Sequence, residues 1–565
     1  MKRLNISVLL ATTVCLFCCN SWQQSVVAAD ATFTIYINGV IITVNPDRPY
    51  AEAFAVAGDR FVAVGTNDEI RRLATPSTKI VDLKGMTVTP GFNDTHVHPH
   101  ATYPEDSPYW TPWLGPEVVR TMDDLIAELK KKADRVPPGT LITGSRYQDC
   151  WLGRHPTRWD LDKASTVHPI RISHSSGHVS VVNSFVLENS GITRDTPGLG
   201  DSFDRDPDGT PNGVLRAGAS SRIRIGATES APRIPAEVQM EAYRERFREY
   251  ARKGITSVGI AGTSSPGRYE TLRDTGTLVR MALMSSGSVS TLQNRGINFG
   301  HGDERLRYTA IKMFHGNSFS GNTCWLSQPH VNRPDGRTDF YGIPPSRSQE
   351  SLDRVIQEIH DAGFQVAVHS NGDREIDMTI TAIERAQANN PRPDARHRIE
   401  HASVQTMPLL ERAKAAGIIL IFHSYLYDHG EKLLVYEDRF DMIHPYRIAI
   451  DMGIYVASHS DSPIASANPM LRIHSLVNRL SHAGRPMGLS QRITVEEAIK
   501  VWTLDGAFTT FEENIKGSIT PGKLADFVVL RQDPRQVLPE TIKDIVVDAT
   551  YIGGVNVWQA PVVVP

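Results

Sequence analysis

Two histidines one residue apart, His96 and His98 in Thr95-His96-Val97-His98, are the first residues in this chain whose spacing suggests chemistry. Alternate residues of an extended strand point to the same side, so imidazoles at i and i+2 can hold one metal ion between them. A bare His-x-His is also what two polar loop histidines look like. The pattern gains meaning because similar residues recur. His369 ends the apolar run Val366-Ala367-Val368, His401 ends Arg398-Ile399-Glu400, and Asp461 follows Ile454–Ser458. Each stands where an expected strand meets its loop. Imidazole and carboxylate ligands suit zinc and related divalent cations.

These residues can converge only if their strands run side by side in one direction. From residue 89 onward, short apolar strands alternate with amphipathic helices. Leu352, Val355, Ile356 and Ile359 follow helical spacing, Gly363 closes that helix, and Phe364–Val368 reads as a buried strand. The same order repeats with helix Asp377–Ala388 before strand His397–His401, Pro408–Ala416 before Ile418–Phe422, and Tyr446–Met452 before Ile454–Ser458. Earlier units pair Met122–Ala133 with Leu141–Gly144, and Ala236–Lys253 with Ile255–Ile260. Continuous apolar strands between helices imply a parallel sheet covered on both faces. Repetition over this length implies a (β/α)8 TIM barrel, which carries its active site at the C-terminal strand ends. About ten candidate strands compete for the eight places, so some belong elsewhere. Gly200–Gly213 is rich in turn residues and reads as an inserted hairpin.

On either side of this region the chain reads as β structure, in Ile35–Val44, Phe54–Val64, Phe527–Leu530 and Ile545–Val547. The expected organisation is a signal peptide at 1–29, then the N-terminal part of a small composite β-sandwich domain at 30–88. The barrel follows at 89–516, and the β-sandwich is completed at 517–565. Lys2 and Arg3, the apolar run Ile6–Cys19 and the small residues Val27-Ala28-Ala29 have the layout of a secretory leader, so the chain is expected to be exported. A lipoprotein anchor through Cys18 or Cys19 fits less well, because Leu16-Phe17 precede them instead of small residues. No membrane span is expected after leader removal. A net charge of −3 without a basic stripe gives no electrostatic case for nucleic acid. Three of the five cysteines lie in the leader. The other two, Cys150 and Cys324, could pair in an oxidising compartment.

Seven stretches together resemble the metal-dependent amidohydrolase superfamily, and within it the family 3 branch of N-substituted formamide deformylase-like enzymes. They are VTPGFNDTHVH (88–98), GHVSVVNSFVLENSGI (177–192), KGITSVGIAG (253–262), FQVAVHSNGDREID (364–377), RHRIEHASV (396–404), HSDSPIASANPM (459–470) and KGSITPGKLADFVVL (516–530). The resemblance implies that His96, His98, His369, His401 and Asp461 bind one or two divalent ions, zinc first among them. It implies that Lys312 bridges two ions as a carbamate and that His178 contacts substrate and steadies an oxyanion. The implied reaction is hydrolysis of a C–N bond other than a peptide bond, in a linear N-acyl or N-formyl amide. Metal-activated water would attack, with Asp461 shuttling the proton. A cyclic amide or imide, or a metal-containing binding protein without turnover, are the alternatives. The two β segments could also support a homo-oligomer.

The sequence departs from its relatives near the expected site. His315 stands where they carry aspartate, His174 where Arg is common, His423-Ser424 where they tend to place Gln-Pro, and His459 where Gly is common, with His429 nearby. Trp110, Trp113, Trp151 and Trp159 fall in loops where they could wall an apolar pocket or pack on one another.

Overall fold

The structure is a computed structural model and describes residues 33–177, 179–196, 203–230, 232–333 and 336–561. Its centre is one sheet of eight parallel strands. They are β1 Phe92–Val97, β2 Ile255–Thr263, β3 Arg280–Ser285, β4 Leu306–Phe314, β5 Gln365–Ser370, β6 Arg398–His401, β7 Ile419–His423 and β8 Val456–His459. Neighbours follow sequence order. The first and last strands also meet. Thr95 Oγ1 donates to Ser458 O at 2.8 Å, Asp461 N to His96 O at 3.1 Å, and His98 N to Ser462 O at 2.7 Å. These bonds close the sheet as the expected (β/α)8 barrel.

The helices form the outer layer. In Gln349–Asp361 the N-cap Ser348 accepts from Ser351 N, and Leu352, Ile356 and Ile359 are buried against the sheet. Gly363, at φ +82°, ends the helix as its sequence suggests. Inside the barrel the residues are mostly short. Ala261, Ala310 and Ala367 pack with Met284, and Ile419 and Ile421 with Ala457.

The surplus strands belong to an insertion between β1 and β2. Leu141–Gly144, expected in the barrel series, lies almost wholly within strand Ile142–Tyr147 at the edge of a separate five-stranded sheet. That sheet runs Phe203–Arg205, Pro211–Arg216, Val179–Val182, Ile170–His174, Ile142–Tyr147. Leu125 and Leu129 of helix Met122–Ala133, with Leu161, Ile172 and Val181, give it a core of its own. A local helix–strand unit looks the same in either setting, and here the inserted chain is long enough to bury its own apolar faces. The expected hairpin is present as Phe203–Arg205 against Pro211–Arg216, turning at Gly209.

Strands from both ends of the chain interleave. Phe527–Leu530 pairs antiparallel with Thr87–Pro90 in a six-stranded sheet. Aromatic rings close the space between that sheet and a four-stranded one. Tyr36 stacks on Phe54 at 4.7 Å, Phe54 meets Phe527 at 5.0 Å, and Phe527 stacks on Tyr551 at 4.3 Å. Such pairs are worth about 0.5–1.5 kcal/mol each beyond their burial. Arg280 at the start of β3 binds both oxygens of Asp526, at 2.7 and 3.0 Å, and fastens the barrel to this β domain.

The cysteine pairing considered from sequence does not form. Cys150 and Cys324 are free thiols. Cys150 sits on the insertion, whereas Cys324 is buried beneath the barrel-mouth loops, 3.3 Å from the Tyr436 hydroxyl. Among the described residues, no helix is long and apolar enough to cross a membrane. Residues 1–29, expected to be a leader, lie outside the described residues.

Candidate metal centre

Strand alternation decides which strand-end residues enter the barrel. In β5, Val366 and Val368 pack outward among the helices, so Ala367 and His369 face inward. Lys312 shares the inward side with Ala310 in β4, Glu400 faces in while Ile399 faces out, His423 follows Ile421, and His459 follows Ala457. The mouth is therefore lined by histidines, carboxylates and one lysine.

These side chains form two groups. In the first, donor atoms of His96, His98 and Asp461 all lie within 4.8 Å of one another. Asp461 Oδ1 is 3.2 Å from His98 Nε2 and 3.6 Å from His96 Nε2. It nevertheless has no properly aligned hydrogen bond among the described residues. Close approach without alignment is the relation of atoms aimed at a common point instead of at each other. His96 Nδ1 is held by Glu400 Oε2, so its Nε2 faces the mouth. Arg398 in turn binds Glu400 and donates to Thr95 O at 3.0 Å.

The second group is His401, His423 and His459, again with donor atoms within 4.8 Å of one another. The His423 and His459 rings are 4.3 Å apart, and His401 lies 5.0 Å from His459 and 4.9 Å from His96. Neither nitrogen of His423 or His459 has a hydrogen-bond partner among the described residues. An unmet donor or acceptor costs about 1–3 kcal/mol. Burial holds His96, His401, His423 and His459 well below the usual histidine range, as neutral rings with a lone pair to offer. His401 and Asp461 both adopt left-handed backbone, φ +69° and +56°. Side-chained residues tolerate such backbone mainly where the surrounding structure imposes it, often at functional sites.

The other expected residues are placed less centrally. His369 packs 4.5 Å from the His401 ring, with Nε2 3.2 Å from Asn317 O and 3.0 Å from Asn371 Nδ2. Lys312 is buried with Nζ 3.4 Å from His96 Nε2. Burial pushes its ammonium down to about 8. His315 is buried but belongs to neither group, and His429 Nε2 lies 3.3 Å from Ile464 O. His174 Nε2 lies 2.9 Å from both Asp149 Oδ1 and Lys432 Nζ, a junction between insertion and barrel. His178 lies outside the described residues. Trp110 is buried with Lys132 and Arg135 over its ring, and Trp159 is exposed beside Arg158, so both pack within the insertion. Trp113 stacks on His100 at 5.6 Å, and Trp151 meets His482 edge-on at 4.1 Å.

Residues that position the site were not singled out from sequence. Asp94 accepts from Ser460 N at 3.0 Å and from its hydroxyl, pinning the loop that carries Asp461; burial raises its carboxyl to about 7. Glu375 accepts four backbone N–H groups, from Asn317, Trp325, Asn371 and Gly372, and so gathers the loops after β4 and β5. Glu400 and Arg398 did carry a signal: two charges within a short strand expected to be buried in the barrel sheet require partners.

The donors fit a divalent cation. They are neutral imidazoles with one carboxylate, buried, and several have no competing hydrogen bond. The sequence profile of the amidohydrolase family matches residues 79–558. An N-substituted formamide deformylase of Arthrobacter pascens is 27% identical over 548 residues, covering 92% of this chain and 97% of that one. Protein LONG AFTER FAR-RED 3 of Arabidopsis thaliana is 26% identical, covering 92% of this chain and 91% of its own length. An uncharacterized metal-dependent hydrolase from Pyrococcus furiosus shares the fold, with a TM-score of 0.65 at 24% identity over 89% of this chain and 100% of that one. With the family profile spanning both the barrel and the strands that flank it, the chain belongs to the amidohydrolase family.

Proposed function

We propose that this protein is a metal-dependent hydrolase of a carbon–nitrogen bond other than a peptide bond, acting on a linear N-acyl or N-formyl amine. One observation carries the reading. His96, His98 and Asp461 converge at the barrel mouth, and Asp461 Oδ1 lacks a hydrogen-bond partner among the described residues. The likeness to an N-substituted formamide deformylase supports the substrate class.

In this reading His96, His98 and Asp461 hold a divalent cation, zinc by the chemistry of the donors, with His369 and His401 beside them. When bound, the cation supplies Lewis acidity toward water and toward the substrate carbonyl oxygen. Glu400 accepts the proton-bearing Nδ1 of His96 and so leaves the Nε2 lone pair facing the mouth. Asp461 accepts a proton from the attacking water and returns it to the departing nitrogen, which leaves poorly until it is protonated. Lys312, with its basicity lowered by burial, keeps some neutral amine near neutral pH that can take up carbon dioxide as a carbamate. His178 steadies the oxyanion, a role that rests on the resemblance alone. Residues 1–29 direct export, which N-terminal sequencing of the mature protein would check.

The test is a substrate panel with zinc-loaded protein: an N-substituted formamide, an N-acyl amine, a cyclic amide, a cyclic imide and a dipeptide. Amine release is expected to be fastest from the linear amides. Turnover confined to the cyclic compounds or to the dipeptide would overturn the substrate class. A fully metallated protein inert toward all of them would favour a binding role.

A further inference from the structure

Arg146, in the inserted sheet, has a backbone that arginine rarely adopts. Along strand Ile142–Tyr147, Ile142 and Tyr147 belong to the core of the insertion, and a Cβ on Gly144 would strike Leu114 and Ile172 of that core. Strict alternation would send Arg146 inward with Ile142 and Gly144, and Tyr147 outward. The register against Ile170–His174 slips instead: Ser145 is opposite Ser173, and Tyr147 is opposite His174. Arg146 is the extra residue of a β-bulge, at φ +74°. Left-handed backbone costs a residue with a side chain about 1–3 kcal/mol. The bulge keeps Tyr147 in the core and re-aims Arg146.

The new direction is the barrel mouth. Arg146 Nη1 donates to Ser175 O at 2.9 Å, and the adjacent Ser176 packs beside Gly321 in the loop after β4. Ser145 bridges to Trp113, which stacks on His100, two residues beyond His98. Burial pushes the guanidinium below the usual arginine range, and Asp461 of the metal centre opposes that shift. Arg154 and Arg216 of the same insertion each hold a carboxylate, Asp160 and Asp204, at 2.7 Å. Arg146 is half-buried, forms no ion pair among the described residues, and its Nε and Nη2 have no acceptor there. A charge drawn out of water ordinarily has a partner.

We infer that Arg146 anchors the substrate by a carboxylate on its amine portion, while the scissile amide lies at His96, His98 and Asp461. The inference rests on the hydrolase reading above and narrows its substrates to N-acyl or N-formyl amines that bear an anion, as N-acylated amino acids do. A formyl group has no room for a further substituent, so the anion is placed on the amine side. A guanidinium presents paired N–H donors that match a carboxylate, and it stays charged at any pH the enzyme meets.

Paired substrates test this with zinc-loaded protein. N-formylphenylalanine and N-formylphenethylamine differ only in the carboxylate. The wild type is expected to favour the acid in kcat/KM by about 10- to 100-fold, the value of a charge-assisted pair. Arg146→Gly relieves the left-handed backbone and is expected to lose that preference, chiefly through a raised KM for the acid. Arg146→Lys is expected to keep part of it. If the glycine variant does not fold, Arg146→Asn replaces it, since asparagine tolerates the same backbone. Equal losses on both substrates would mark a merely structural arginine and overturn the inference. A wild type that favours the neutral amide would overturn it and leave the hydrolase reading standing. If neither linear amide turns over, the substrate class of that reading fails, and binding decides the role of Arg146. N-benzenesulfonylglycine and its carboxamide are then titrated by calorimetry. The acid is expected to bind the wild type about 10- to 100-fold more tightly, and the glycine variant to bind both alike. Equal binding by the wild type would overturn the anchor.

Discussion

Two pairs of buried histidines in this barrel are handled in opposite ways. His360, in the last turn of helix Gln349–Asp361, and His397, just before β6, sit at the N-terminal face. His360 Nδ1 meets His397 Nε2 at 2.8 Å, His360 Nε2 meets Asn390 O at 2.6 Å, and Val366 N donates to His397 Nδ1 at 3.0 Å. Every ring nitrogen has a partner. His423 and His459 at the opposite face are as deeply buried, yet none of their four nitrogens has one among the described residues. Burial therefore does not separate the two pairs, whereas hydrogen-bond accounting does; His315 and His330, buried and in neither metal-binding group, also leave both ring nitrogens without a partner among the described residues. The N-terminal face of such a barrel serves stability and the C-terminal face serves chemistry.

That contrast can be broken from either end. The largest effect is expected at the mouth. Asp461→Asn should lower turnover about 100- to 10,000-fold, the range of a lost acid–base residue, while circular dichroism reports an intact fold. Activity within about tenfold of wild type would remove Asp461 from the proton shuttle. Glu400→Gln should weaken zinc binding about 10- to 100-fold, measured by competition with a chelator, because His96 loses its orienting partner. Unchanged affinity would mean that the His96 ring is fixed by other contacts.

At the opposite face the expectation reverses. His360→Ala should cost about 1–3 kcal/mol in denaturant unfolding and leave metal content unchanged. A variant that keeps its stability but loses metal would erase the distinction between the two pairs. The smallest effect is a pH dependence. Burial holds His397 down to about 3, against an ordinary value of 6.5. Between those values the unfolded chain binds a proton that the folded chain refuses, so stability falls as pH drops below about 6.5, by up to about 1.4 kcal/mol per pH unit. His397→Asn should flatten part of that slope between pH 7 and pH 5. An unaltered slope would mean that other groups set the acid limit.

Much of this could be read from residue order. The spacing of His96 and His98, and the strand-end positions of His369, His401 and Asp461, marked the mouth before any geometry was available. Other features depended on context that a single chain does not display. β3 was not recognised, since Arg280-Met-Ala-Leu-Met-Ser contains no β-branched residue and has little strand preference. The inserted sheet borrowed the barrel's helix–strand pattern. His423 and His459 stood out as departures from relatives, but their shared aim becomes visible only once β6, β7 and β8 are side by side. The orienting role of Glu400 was hidden for the same reason, as its partner His96 lies 304 positions away along the chain.

The central claim is that a divalent cation binds at the mouth through His96, His98 and Asp461. Elemental analysis of the protein expressed from about residue 30 and dialysed after zinc loading tests it most directly. The account predicts tightly retained zinc in the wild type and a clear loss of metal in His96→Asn/His98→Asn, with the fold preserved. A wild type that retains no metal, or a double variant that retains as much as the wild type, would contradict it.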